Sequence, residues 1–304
     1  MIKNNNRIIS LYPSASDFII DLNLKNQLVA VSHECNNKNH FNKIPKVTST
    51  ILKSGLSQAE INFEVEKTIR KNEPLYKIDV NLINNLKPTH IITQGLCDVC
   101  AVSSKTIEVF LKGKKYEFDS KIDIISLNGN SFKGICDDIQ YLGTIFNKNT
   151  EAQTLINYHK KKWVSLKKGI NSKTLLLLEW TDPPFSSGHW IPEMVELAGF
   201  KNLLSSSGEI SKKITWENIK KSNPDYIGVI CCGFDFNQNK KAAKDLYKIK
   251  MLDKVKAIRN ENIFAFDSNA FFSKPSLKIV EGAELICNIL NSNENENRCY
   301  RPIC

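Results

Sequence analysis

The feature that most constrains the fold is an alternation of short β-branched runs with longer stretches of helical periodicity. Such alternation is typical of parallel sheets, whose strands are joined by crossover helices. It occurs twice, on either side of one long helical stretch. The predicted strands are residues 7–11, 28–31, 90–93, 122–126, 173–179, 225–231 and 263–267. We therefore predict an α/β fold class with two Rossmann-like α/β lobes.

The stretch between the two alternating regions predicts a long helix. Residues 131–168 contain no proline, and Phe132, Ile135 and Ile139 fall at helical spacing. A helix over residues 150–168 would span about 28 Å at 1.5 Å per residue, enough to join two domains. The predicted organisation is an N-terminal lobe (1–149), an interdomain backbone helix (150–168), a C-terminal lobe (169–291) and a disordered tail (292–304).

The net charge of +10 does not indicate nucleic-acid binding. Lysine supplies nearly all of the positive charge, and the lysines are scattered among asparagines, whereas nucleic-acid-binding proteins concentrate Lys and Arg on one face. No stretch approaches the ~20 apolar residues of a membrane span, and no secretory signal is seen. We expect a monomer with no nucleic-acid partner and no membrane span, located in the cytoplasm, or in the periplasm if a signal was removed.

Five of the nine cysteines lie at or just past the predicted carboxyl ends of strands, where ligands bind in open α/β sheets. Thiolate and imidazole ligands suit zinc and other soft metal ions. Cys231 and Cys232 are adjacent, so only one of them can face a ligand. The candidate metal ligands are His33, Cys35, Cys97, Cys100 and Cys232. With His189 these make six candidates, and we predict that at least three of the six converge on one point in the cleft; a reactive thiol pair and simple packing are the alternatives.

The segment TDPPFSSGHWIPEM follows a strand and contributes, with its flanks, two tryptophans. Aromatic rings offer a large apolar area with fixed orientation, which suits a flat or bulky ligand. The alternative is that Trp180 and Trp190 fill the edge of the lobe. The candidate ligand-binding residues are Tyr12, Trp180, Phe185, His189, Trp190, Phe234, Asp235 and Phe271. The sequence contains no Walker loop, GxGxxG, GxSxG or HExxH motif.

Several segments carry a family resemblance. RIISLYPSASDFIIDLNLKNQLVAVSHEC, LKPTHIITQ, EWTDPPFSSGHWIPEMVELAGF, NPDYIGVI and NIFAFDSNAFFSKPSLKIVEG resemble, in the same order, cobalamin-binding proteins of the class III periplasmic-binding-protein superfamily. The resemblance covers residues 7–291. It implies two α/β lobes joined by one rigid helix, a ligand clasped between them, and an ABC transporter membrane component as a partner. It carries the family's aromatic ligand contacts over to Tyr12, Trp180 and Phe234.

Three functions are compatible with these observations. The first is a binding protein for a corrinoid (cobalamin-like) or related metal-bearing small ligand in the interlobe cleft. The second is a binding protein for zinc or another soft metal ion, held by cysteine and histidine side chains. The third is an enzyme that uses thiolate or metal chemistry, although no catalytic residues are identified.

Overall fold

The computed structural model describes residues 6–35, 38–96, 122–169, 171–291 and 299–300. The chain forms two compact units, each assembled from two separate stretches. The first unit comprises Met1–Gly129 and Asp137–Leu155, and the second comprises Asn130–Cys136 and Ile156–Cys304. Each unit contains its own sheet with parallel strands and helices, which confirms the predicted α/β class.

The first unit contains a four-stranded parallel sheet in the order β2-β1-β5-β6. The strands of this sheet are β1 (Ile8–Ser10), β2 (Leu28–Val31), β5 (His90–Gln94) and β6 (Asp123–Leu127). The first unit also contains the strands β3 (Thr48–Thr50) and β4 (Tyr76–Ile78). Its helices are α1 (Pro13–Asp21), α2 (Lys38–Phe41), α3 (Gln58–Arg70) and α4 (Val80–Leu86), with a 3₁₀ turn at Lys25–Gln27. Strands β3 and β4 pair antiparallel outside this sheet and were not predicted, because each is only three residues long.

Local sequence signals explain several of these elements. Ser57 and Glu60 form the capping box that begins α3, as their S-x-x-E spacing predicts. Ile8 and Ile9 are adjacent in β1 and both fully buried, because a parallel sheet is covered on both faces. One side of this sheet packs into a core cluster formed by Ile9, Leu11, Ala30, Val47, Ile83 and Ile91.

The second unit contains a sheet in the order β12-β11-β10-β7-β8, with β9 also paired to β7. Its strands are β7 (Thr174–Thr181), β8 (Pro184–Ser186), β9 (Lys201–Asn202), β10 (Tyr226–Val229), β11 (Ile263–Phe266) and β12 (Cys299–Tyr300). The remaining helices are α5 (Phe132–Ile145), α6 (Asn149–Leu166), α7 (Ile191–Leu197), α8 (Trp216–Ser222), α9 (Phe236–Leu246), α10 (Lys256–Arg259), α11 (Ser268–Phe271) and α12 (Ile279–Asn291), with a 3₁₀ turn at Lys250–Leu252. Strands β7, β10 and β11 are parallel, while β8 and β12 are antiparallel to their neighbours.

Two glycines of the second unit have structural roles, one in a close packing contact and one in a left-handed backbone conformation. A Cβ atom added to Gly228 in β10 would lie 2.3 Å from Leu177 Cδ2, so a side chain there would displace that of Leu177. Gly199 follows α7 with a φ of +87°, in the left-handed region, and stops the helix as the sequence predicts.

The chain organisation differs from the prediction in two details. Most of the predicted interdomain helix over residues 150–168 is helical, as part of α6 (Asn149–Leu166), and the two compact units divide within α6, between Leu155 and Ile156. Within the predicted disordered tail, Cys299–Tyr300 forms strand β12 against β11; the other tail residues lie outside the described part of the chain. No helix among the described residues has the length and apolar character required to cross a membrane.

Candidate functional site

The carboxyl ends of β7, β10 and β11 lie at one edge of the second unit's sheet, because these strands run parallel. Ligands of open α/β sheets bind at this kind of edge. Trp180 lies near the end of β7, residues 231–235 follow β10, and residues 267–273 follow β11. We call Trp180 and these two loops the second-unit rim.

An aromatic pair dominates the second-unit rim. The ring centroids of Trp180 and Phe234 lie 5.3 Å apart, and their planes are tilted by 54°. Both side chains are half-buried, because one side of each packs on the core cluster that includes Leu176 and Leu178. The part of each ring left uncovered provides a rigid apolar surface at the end of the sheet.

Hydrogen bonds join the two loops of the rim. The Asn239 side chain is fully buried; its Oδ1 accepts a hydrogen bond from the Cys231 N–H (2.8 Å), and its Nδ2 donates to the Phe266 carbonyl (2.9 Å). The Asn269 N–H donates to the Phe234 carbonyl (3.0 Å). Two further bonds run from the Gly233 N–H to Ser273 Oγ (2.9 Å) and from the Ser268 hydroxyl to the Ile230 carbonyl (2.8 Å). The rim is therefore anchored through its backbone.

Phe185 and His189 extend this region. Phe185, on β8, lies opposite Trp180 across the antiparallel β7–β8 pair and is half-buried. His189 adopts a φ of +54° and lies against Trp190, with ring centroids 5.6 Å apart. Burial lowers the pKa of the His189 imidazole below its ordinary value. Both residues remain candidates for contact with a ligand.

Trp190 lies in the interior. Only 6% of its surface is exposed, and its indole N–H donates to the Phe272 carbonyl at 3.0 Å. This geometry favours the packing alternative for Trp190, since a buried indole with a satisfied N–H offers little surface to a ligand.

Phe271 and Asp235 are the remaining predicted residues of this rim. Phe271 ends α11 and is half-buried. Asp235 is exposed and is the N-cap of α9, where its carboxylate accepts a hydrogen bond from the Gln238 N–H (2.9 Å). The Asp235 carboxylate therefore has a structural partner within its own helix.

The adjacent cysteines face opposite sides, as predicted. Cys231 is fully buried in the core cluster beneath the rim, and Cys232 is exposed. Only Cys232 is thus accessible to a ligand or a reagent.

In the first unit, the SHEC segment forms a β-turn after β2. The Cys35 N–H donates to the Ser32 carbonyl at 3.1 Å, which closes the turn. Cys35 is 2% exposed, and its sulfur lies 3.0 Å from Ser16 Oγ. Burial raises the pKa of the Cys35 thiol to about 11. The burial of this thiol and its contact with Ser16 favour the packing alternative for Cys35.

His33 occupies a corner of the same turn and is half-buried. Its Nδ1 lies 2.7 Å from Thr48 Oγ1, which also accepts a hydrogen bond from the His33 backbone N–H at 3.0 Å. Its ring centroid lies 5.6 Å from that of Tyr76. Burial, and then the positive charge of Lys46, lower the pKa of His33. Tyr12 precedes α1 and is 7% exposed.

The predicted metal set is only partly placed. Cys97 and Cys100 lie outside the described residues, so the convergence of thiols stays a prediction. His33 and Cys35 belong to the first unit, and His189 and Cys232 to the second. Within the described part of the chain, no group of three or more His, Cys, Asp or Glu side chains is arranged to hold a metal ion.

Sequence reasoning missed Asn239 and Thr48, which hold the rim loops and His33 in place. Asn239 is the fourth residue of α9, and Thr48 begins β3. An Asn inside a helix and a Thr in a short polar strand carry no local signal of such a role, because their partners are distant in sequence.

Comparison with known proteins places this geometry in a family. Residues 8–270 match the periplasmic binding protein family. A periplasmic heme-binding protein of Vibrio cholerae has a similar structure, with a TM-score of 0.67, 21% identity, and coverage of 94% of this chain and 99% of that one. No curated protein sequence matches the chain.

Two other solved structures share the fold. A periplasmic vitamin B12-binding protein of Vibrio cholerae gives a TM-score of 0.61 at 15% identity, over 96% of this chain and 98% of that one. An ABC-type Fe³⁺-hydroxamate transport protein of Saccharomonospora viridis gives a TM-score of 0.65 at 17% identity, over 94% of this chain and 93% of that one. Since the family match covers most of the sequence, the chain belongs to the periplasmic binding protein family and has the class III fold.

Proposed function

We propose that this protein binds a corrinoid, or a related small ligand that carries a chelated metal ion, and that the second-unit rim contacts it. Membership of the periplasmic binding protein family supports small-ligand binding in general. Proteins of similar fold are described as binding heme or vitamin B12, or as transporting Fe³⁺-hydroxamate. Each of these ligands is a metal ion held by an organic chelator, which is the chemistry we propose here.

The observation that carries the proposal is the Trp180–Phe234 pair. The two rings are fixed from below by the core and keep part of their surface uncovered. A rigid aromatic surface suits a large, flat and largely apolar macrocycle, because the two side chains lose little conformational entropy when a ligand covers them.

A bare zinc ion requires three or four protein ligands. A metal ion inside a macrocycle needs only axial ligands from the protein. The family also suggests a partner: we propose that the loaded protein delivers its ligand to the membrane component of an ABC transporter.

The test is a titration of the purified protein with dicyanocobinamide and, separately, with hemin, followed by tryptophan fluorescence and visible absorption. Trp180→Leu should weaken binding of the preferred macrocycle at least about tenfold, as truncation of an aromatic anchor usually does. Tyr226→Leu is the matched control. Tyr226 is also a half-buried aromatic residue but begins β10 at the opposite end of the strand, against Phe200 and Phe264.

Elemental analysis and a visible spectrum of freshly purified protein give an independent answer. Stoichiometric zinc with no visible absorption, together with no binding of either macrocycle, would reject the proposal in favour of the soft-metal alternative. Equal loss of affinity in both variants would show that Trp180 acts through stability rather than contact.

A further inference from the structure

The two ends of the second unit's parallel strands differ in charge. Residues 167–173, 220–225 and 247–262 lead into β7, β10 and β11, and they contain ten Lys or Arg and three Asp or Glu, a net charge of +7. The second-unit rim, at the other end of these strands, contains two Asp and no Lys or Arg. The end opposite the rim is therefore strongly basic. We call its ten basic side chains the basic patch: Lys167, Lys168, Lys173, Lys220, Lys221, Lys248, Lys250, Lys254, Lys256 and Arg259.

Hydrogen bonds hold the three segments of the basic patch side by side. The Thr174 N–H, at the start of β7, donates to Asp225 Oδ2 at 3.0 Å. The Lys256 N–H donates to Asn223 Oδ1 at 3.0 Å, and Lys256 Nζ lies 3.6 Å from Asp225 Oδ1. Since neighbouring strands are about 4.8 Å apart, these contacts place the basic side chains on one continuous surface.

The basic patch keeps its charge in solvent. All ten side chains are exposed. Lys220 and Lys248 form ion pairs with Glu217 and Asp245, at 3.7 Å and 2.6 Å. Counting these two carboxylates against the net charge of +7 still leaves +5. Exposed ion pairs of this kind are weak, so the surface as a whole attracts a polyanion.

An apolar side chain protrudes among these lysines. Met251 lies in the 3₁₀ turn that also contains Lys250, and 46% of its surface is exposed, while its neighbour Leu252 is fully buried in the core cluster. An apolar side chain surrounded by lysines suits the surface of an anionic bilayer. The lysines are attracted by the charged headgroups, and the apolar group leaves water by entering the interface.

The composition of the basic patch favours lipid over nucleic acid. Arg259 is its one arginine. The planar fork of arginine recognises individual phosphate groups, whereas lysine acts as a point charge that responds to the potential of a whole surface. Proteins that bind single strands also use exposed aromatic rings for stacking. Tyr247, the one aromatic residue of the three segments, is half-buried and packs on the core cluster.

We propose that the basic patch binds the anionic surface of a lipid bilayer, with Met251 entering the region between headgroups and acyl chains. The attraction is electrostatic, so it weakens as the salt concentration rises. The patch and the second-unit rim lie at opposite ends of the same strands, so bilayer contact leaves the rim open to its ligand. Membrane binding of this kind requires no bound macrocycle and is independent of the proposed function.

The test is co-sedimentation of the full chain with vesicles of phosphatidylcholine alone, or of phosphatidylcholine with about one-third phosphatidylglycerol, at about 0.1 M salt. The patch variant combines four substitutions: Lys173→Glu, Lys221→Glu, Lys250→Glu and Lys254→Glu. The control variant makes the same change of net charge at four exposed lysines of the first unit: Lys43→Glu, Lys53→Glu, Lys71→Glu and Lys77→Glu. All eight side chains are exposed, so both variants should fold.

We expect the wild type to bind the anionic vesicles at least about tenfold more tightly than the neutral ones, and the patch variant to lose at least about tenfold of that affinity. The control variant should stay within about twofold of the wild type, because its altered charges lie away from the patch and are screened by salt. Met251→Ser should weaken binding about threefold, since less apolar surface leaves water.

Equal binding of the wild type to both kinds of vesicle would overturn the proposal, and this measurement needs no variant. A loss in the control variant as large as that in the patch variant would assign the effect to overall net charge instead. Tighter binding to double-stranded DNA than to anionic vesicles at the same salt concentration would assign the patch to nucleic acid. Vesicle binding that persists when neither hemin nor cobinamide binds the protein would support the proposal while the proposed function fails.

Discussion

The sulfur of Cys35 lies 3.0 Å from the hydroxyl oxygen of Ser16 and is almost completely buried, whereas Cys232 is exposed. Burial raises the pKa of the Cys35 thiol to about 11, so little thiolate exists near neutral pH. We therefore predict that iodoacetamide at pH 8 modifies Cys232 rapidly and Cys35 only after unfolding, as read by mass spectrometry of peptides. Rapid modification of Cys35 in the native protein would contradict its placement.

The same raised pKa has a consequence for stability in alkali. The folded state holds the Cys35 proton more tightly than the unfolded state, whose thiol has the ordinary pKa of 9.0. The stabilisation is complete below pH 9 and is lost as the pH rises from about 9 to about 11, by up to about 2–3 kcal/mol. In denaturant unfolding between pH 8 and 11, the free energy of unfolding should decline less steeply for Cys35→Ala than for the wild type. Parallel curves would show that Cys35 does not cause the decline.

Asn239 should contribute more to the free energy of unfolding than its position in a helix suggests. Asn239→Ala removes the side chain that accepts from the Cys231 N–H and donates to the Phe266 carbonyl, which should cost about 2–4 kcal/mol in the free energy of unfolding. Asn237, exposed on the same helix, is the control: Asn237→Ala should change stability by less than about 0.5 kcal/mol. Urea unfolding of the two variants measures the difference, and similar values would argue against the role of Asn239 in the rim.

The variant Trp190→Phe should show whether the Trp190 side chain contributes to packing or contacts the ligand. The change keeps an aromatic ring but removes the indole N–H that donates to the Phe272 carbonyl. The unsatisfied buried carbonyl should lower the free energy of unfolding by about 1–3 kcal/mol while macrocycle affinity stays within about twofold. A loss of affinity without a loss of stability would instead assign Trp190 to the ligand surface.

His189 has a backbone conformation that few residues tolerate. At a φ of +54°, Asn is accepted more readily than a β-branched residue, so His189→Val should be less stable than His189→Asn by more than about 1 kcal/mol. Thermal unfolding of the two variants at neutral pH tests this difference. Equal stability would mean that the left-handed conformation is not maintained.

Burial of His189 also predicts a pH effect of definite sign. Because the folded-state pKa is lowered, the unfolded state binds the proton first as the pH falls. Stability attributable to this residue is complete above the ordinary pKa of 6.5 and declines as the pH drops below it. His189→Asn should therefore lose less stability than the wild type between pH 7 and pH 5.5, measured by denaturant unfolding.

The sequence predicts seven strands, β1, β2, β5, β6, β7, β10 and β11, because they are rich in apolar residues. The strands β3, β4, β8, β9 and β12 are only two or three residues long and were not predicted. Residues 28–31 are found as predicted, and the capping box of Ser57 and the stop at Gly199 are confirmed. Local periodicity and capping depend on neighbours within a few residues, which the sequence shows directly.

The site was harder to predict, because its contacts join residues that are distant along the chain. Trp180 and Trp190 look alike in the sequence, but only the structure shows that the Trp190 indole is bonded to Phe272 in the interior. Likewise, nothing near His33 indicates that Thr48 will orient its ring, because β3 is a short polar strand whose position depends on tertiary pairing.

The partition of α5 and α6 between the two compact units restricts how this protein can be divided or recombined. The chain passes from one unit to the other three times, at Gly129/Asn130, Cys136/Asp137 and Leu155/Ile156. No single truncation therefore yields a whole unit, and a gene fragment cut at either helix encodes an incomplete core. Exchange of one unit between relatives would require three crossovers, so single-crossover chimaeras joined within these helices would combine parts of both units.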